Sequence, residues 1–208
     1  MSKQTKILQE GKKYTFRDYF EMRHDIEDIV IELGYSYEQT YLSLPMQNIG
    51  SFSDLQDAMS QRLPKVSLTS EAARREFYVS PFLWRLIDKL NFRLKMEYLV
   101  EVNDYLRGIL DYLLSSANTT IVVEAKKADM DRGFTQLAVE LIAISESIDN
   151  VPPKLYGAVT TGSLWQFGML DVPNKVIYKD MREFLILQHM DKIASIFAGI
   201  LSGEEIIC

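Results

Sequence analysis

The most constraining feature of this chain is a succession of patterns between residues 92 and 161. FRLKMEYLVEV (92–102) alternates at period two, LRGILDYLLS (106–115) is short and apolar, and TTIVVEAKK (119–127) is a β-branched run ending in charge. Alternation at period two marks a strand with one buried face, and an unbroken β-branched run marks a strand buried on both. The connections around Asn103-Asp104 and 115–118 are short, as in hairpins. Residues 131–148 then change to helical spacing, with Phe134, Leu137, Leu141, Ile144 and Ile148 on one face, and Pro152-Pro153 ends the run. LYGAVTT (155–161) and SLWQFGML (163–170) read as two further strands.

The flanks add helices. Ser70 stands as the N-cap of a helix containing EAARREFYVSPFLWRLIDKL, in which Pro81 predicts a kink. Near the other end VIYKD is a candidate strand, followed by a long helix over about 180–201 that Gly203 ends. Phe184, Leu187, Met190, Ile193, Phe197 and Ile200 give that helix an apolar stripe, facing either the core or a second subunit. The order α-β-β-β-α-β-β-α predicts the α/β class, a mixed sheet with helices on it. Before this, Thr15 precedes a helical pattern of Phe16, Tyr19, Phe20, Ile26, Ile29, Val30 and Leu33, closed by Gly34. Residues 35–44 suggest a short strand, and Ser53 begins a short helix. Residues 1–65 therefore read as a mostly helical N-terminal appendage and 66–208 as the core, with Pro64 at the boundary.

Composition narrows the function classes. In 208 residues, 47% are hydrophobic and 25% charged, which excludes disorder over most of the chain. The net charge of −6 disfavours coating of nucleic acid by bulk charge, while leaving room for a local basic groove. Cys208 is the only cysteine, so no internal disulfide forms, which fits a cytoplasmic location. No apolar run approaches the roughly 20 residues of a membrane span, and the first residues lack the apolar core of a signal peptide. P-loop, GxGxxG and HExxH motifs are absent. His24 and His189 have no partner at metal-ligand spacing.

One group of residues carries chemistry. Glu124 and Lys126 lie two apart on a strand and so share a face. Asp111 interrupts the apolar run of the preceding strand, where a carboxylate needs a partner. A hairpin brings it beside Glu124. Two carboxylates and a lysine form an oxygen-rich site suited to Mg²⁺. The competing readings are a turn cap for Asp111 and a surface ion pair for Glu124 and Lys126, worth less than about 1 kcal/mol.

Asp111, then Glu124-Ala125-Lys126 on the adjacent strand, then Gln136 on the following helix, resembles the PD-(D/E)XK nuclease superfamily. The resemblance covers residues 68–170. It implies a restriction endonuclease-like αβββαβ core and a Mg²⁺-dependent endonuclease (Mn²⁺ as substitute) acting on DNA. Asp111, Glu124, Lys126 and Gln136 would be catalytic. Asp111, Glu124 and the Ala125 carbonyl would hold the metal. Glu71, in the first core helix, would be a further ligand, or a glutamate favoured by the helix dipole; Arg74 and Pro81 are also in keeping. Lys127 and Arg132 are candidate phosphate contacts. Leu110 stands where many members have proline. A subset has tyrosine four residues after the glutamine, where this chain has Glu140. A duplex cleaver suggests a homodimer, one site per strand. The alternatives are a non-catalytic nucleic-acid- or protein-binding member of the same fold, and a hydrolase of another phosphate substrate.

Overall fold

The computed structural model describes residues 6–116, 119–126 and 129–203. Seven strands form one mixed sheet: β1 (Ser36–Thr40), β2 (Arg93–Glu101), β3 (Arg107–Ser115), β4 (Thr120–Ala125), β5 (Lys154–Thr160), β6 (Leu164–Asp171) and β7 (Val176–Leu185). Their spatial order is β1-β7-β6-β5-β4-β3-β2. As the patterns predict, β2, β3 and β4 form a consecutive antiparallel meander, and β5 lies parallel to β4. The helix between them, α6 (Met130–Ser147), makes that parallel step possible. β4 lies inside the sheet between β3 and β5, and all six of its residues are buried.

Helices cover both faces. On one, α1 (Phe16–Glu21), α2 (Ile26–Glu32) and α6 meet Leu110, Leu113, Val122, Leu155 and Val159 of the sheet. On the other, α3 (Ser53–Arg62), α5 (Ser80–Lys89) and α7 (Ile186–Ser202) meet Leu114, Ile121, Val123 and Phe167. Phe82, Trp165, Phe167 and Phe197 pack edge to face at the centre of that second core, with ring centroids 5.5–5.8 Å apart.

The structure departs from the sequence expectations in five places. The described part of 1–65 is not set apart as an appendage. β1 pairs in parallel with β7, and α1 packs on α6. Pro64 sits within a 3-10 turn (Leu63–Lys65) continuous with α3. The helical pattern over 16–33 is two helices, because Met22 turns to an extended conformation. Residues 180–185 belong to β7, and the last helix starts at Ile186; its apolar stripe is buried against the sheet. Ahead of Pro81, a five-residue π segment (Arg75–Val79) connects α4 (Glu71–Arg74) to α5. The wider turn accommodates the ring that an α-turn would press against the carbonyl four residues earlier. Trp84 is 49% exposed on α5.

Candidate active site

The site forms where the β3–β4 ladder ends. The last pair in that ladder is Tyr112 with Val123, which leaves Asp111 and Glu124 as the next residues along each strand. Asp111 Oδ2 accepts the Ala125 N–H at 2.9 Å. On an extended strand the carbonyl of a residue faces the same neighbour as its N–H, so the Ala125 carbonyl is on the Asp111 side. Asp111 Oδ1 accepts from the Arg75 guanidinium at 3.0 Å. Arg75 also lies 3.7 Å from Glu97. The partner that Asp111 needs is therefore an arginine on the π segment. The adjacent Arg74 turns away and donates to the Leu68 carbonyl at 2.9 Å.

Glu124 is 1% exposed. Its Oε1 receives both the Lys126 ammonium and the Gln136 amide, the latter at 2.8 Å. The same Gln136 nitrogen donates to Glu140 Oε1 at 2.7 Å. Among the described residues, Glu124 Oε2, Gln136 Oε1 and Glu140 Oε2 are buried without a hydrogen-bond partner. The glutamine that the resemblance counts among the catalytic residues thus holds two carboxylates. Helical spacing explains the pairing, since Gln136 and Glu140 are one turn apart on the α6 face that lies over β4.

Charge in this cluster follows burial. Burial first, and then the charge of Asp111, raises the Glu124 pKa to about 7, against the opposing effects of Lys126 and the Glu140 hydrogen bond. Burial and the Glu124 charge push Glu140 well above the ordinary carboxylate range. For Lys126, burial favours the neutral amine, but the charges of Glu124, Glu140 and Asp111 outweigh it and leave the pKa raised. The Lys126 ammonium also stands 4.9 Å from the Phe20 ring centroid.

One cleft of about 930 Å³ brings the predicted residues together: Glu71, Asp111, Glu124, Lys126, Arg132 and Gln136 all line it. Helix α1 contributes Phe16, Arg17 and Phe20 to the lining, and Glu97 and Ile109 also line it. Arg132 also lines a neighbouring cavity of about 720 Å³ under β1 and β7, and its guanidinium pairs with Asp129 at 3.2 Å. Lys127, the other candidate phosphate contact, lies outside the described residues.

The donor set fits a hard divalent cation. Glu124 Oε2 is a buried, unpartnered oxygen, and each Asp111 oxygen retains a lone pair beyond its single hydrogen bond. No group of three or more His, Cys, Asp or Glu side chains gathers as a metal cage among the described residues. The arrangement instead suits an ion held by one or two carboxylates and completed by water and substrate oxygens.

Sequence reasoning missed Arg75, Glu97 and Phe20 as members of the site, because they come from distant parts of the chain and their local patterns mark only helix or strand. Glu140 did leave a signal, a carboxylate inside the apolar run LAVELIAI. Comparisons with protein-family models, curated proteins and solved structures return no match to this chain.

Proposed function

We propose that the chain is a divalent-metal-dependent phosphodiesterase that cleaves DNA, built on a restriction endonuclease-like αβββαβ core and acting in the cytoplasm. One observation carries the reading: the cleft that collects Asp111, Glu124, Lys126 and Gln136 at the end of the β3–β4 hairpin. Asp111, Glu124 and the Ala125 carbonyl would hold Mg²⁺ or Mn²⁺, and Glu71 faces the same cleft. When bound, the ion supplies positive charge at the phosphate and acidifies a water. Lys126 stabilises charge on the phosphate or exchanges a proton with the attacking water. Gln136 holds Glu124, and Arg132 at the rim offers a guanidinium to a flanking phosphate.

A second reading has its own support. Arg75 already contacts Asp111, and Lys126 contacts Glu124, so each carboxyl group has a cationic partner without a metal. That favours a non-catalytic nucleic-acid- or protein-binding member of the same fold. Incubation of supercoiled plasmid with Mg²⁺ or Mn²⁺ separates the two. Nicking by the wild-type protein, lost in Asp111→Ala, supports the nuclease. Metal binding and cleavage both absent at millimolar ion would refute it. A duplex cleaver of this kind would work as a homodimer, visible as twice the chain mass in light scattering.

A further inference from the structure

We propose that Glu140 is a positioning residue of this site: it fixes the Gln136 amide, and through that amide it holds Glu124 with one carboxylate oxygen free. The inference rests on the reading of Glu124 as a metal ligand. Three observations lead to it. Glu140 is fully buried, in a helix face otherwise built of Leu137, Leu141 and Ile144. A carboxyl group there is costly, and a leucine would pack the same face without that cost. Its one hydrogen-bonded oxygen accepts from Gln136 Nε2, the nitrogen that also donates to Glu124 Oε1.

The amide nitrogen has two hydrogens, and both are engaged. One anchors to Glu140, and that anchor prevents the amide from rotating about its terminal torsion. The other is therefore aimed at Glu124 Oε1. With Lys126 on that same oxygen, Glu124 Oε2 is the oxygen left unpartnered. Without Glu140, Gln136 would lose its second acceptor and the direction of its first. Glu124 would then be free to turn either oxygen to Lys126.

Outer partners of metal ligands usually contribute about 10–100-fold to metal affinity. The test is Mn²⁺ binding by isothermal titration calorimetry on the full chain, with denaturant unfolding as a separate measure of stability. Glu140→Leu should weaken Mn²⁺ binding by roughly tenfold or more. Glu140→Gln retains an acceptor for Gln136 and should recover most of the loss. In a Gln136→Ala background Glu140→Leu should have no further effect on affinity, because the residue acts through the amide. If Glu140→Leu does not fold, Glu140→Met, close to glutamate in shape, takes its place. A folded Glu140→Leu that binds Mn²⁺ as tightly as wild type overturns the inference, as does an unchanged penalty in the Gln136→Ala background. Wild-type protein that binds no Mn²⁺ overturns the metal reading itself.

Discussion

Raising the pH of the metal-free protein should weaken it through Glu124. The group has a folded-state pKa near 7 against an ordinary value of 4.5. Between those values the unfolded chain has released the proton and the folded chain still holds it. Stability therefore falls as pH rises, by 1.36 kcal/mol per unit for one proton. Across the interval of about 2.5 units this amounts to roughly 3 kcal/mol, fully present below pH 4.5 and gone above pH 7. Burial is the main cause, since Glu124 is 1% exposed, and the neighbouring Asp111 charge adds to it. Glu124→Gln stays neutral at every pH and keeps an acceptor for Gln136. The assay is urea unfolding in EDTA at half-unit steps from pH 4.5 to 8, for wild type and Glu124→Gln. Surface groups titrate alike in both, so the difference between the two curves isolates the cluster. The wild-type curve should decline by about 3 kcal/mol more than that of the variant. Parallel curves would refute the assignment of a raised pKa to this carboxylate.

Other outcomes follow from the same geometry. Lys126→Ala should leave Mn²⁺ affinity largely intact by calorimetry while reducing plasmid nicking by on the order of 10²-fold or more, the usual loss for an acid-base or charge-stabilising group. Asp111→Ala should remove metal binding and nicking together. Gly199→Ala should destabilise by about 1–3 kcal/mol in guanidinium unfolding, because its Cβ would lie 2.4 Å from Met46 N and Pro45 C, which are backbone atoms and cannot rotate away. Arg85→Ala, which removes an exposed pair with Asp54, should change stability by less than about 1 kcal/mol.

The legible parts of the fold were those encoded locally. The meander, α6 and the β5–β6 pair each follow from a period read within a dozen residues, and the strand ends lie within one or two positions of the pattern. β1 was legible as a strand but not as part of this sheet. Its SYEQT has no buried face to advertise, and its partner is β7. Val176–Leu185 was read partly as helix because Phe184 continues the spacing of the α7 stripe. At the site, Asp111 and Glu124 were recognisable as a carboxylate pair on a hairpin, and the need of Asp111 for a counter-ion was evident from its apolar neighbours. Which cation fills that need was not evident. Arg75 and Arg74 are adjacent, and only the π segment decides which of them reaches β3.

The parallel pairing of β1 with β7 also bears on how the chain is made. Ser36 is opposite Val176, so 176 − 36 = 140 residues separate partners in the same ladder. At a synthesis rate of about 5–20 residues per second, roughly 7–28 s pass between the emergence of one and the other. Strands β2 to β4 are consecutive and can pair in that interval. Ser36–Thr40 cannot, and its backbone donors and acceptors stay open to any other strand nearby. Of the seven strands, the first to leave the ribosome is the last to be seated, and slowing translation over 41–175 lengthens its exposure.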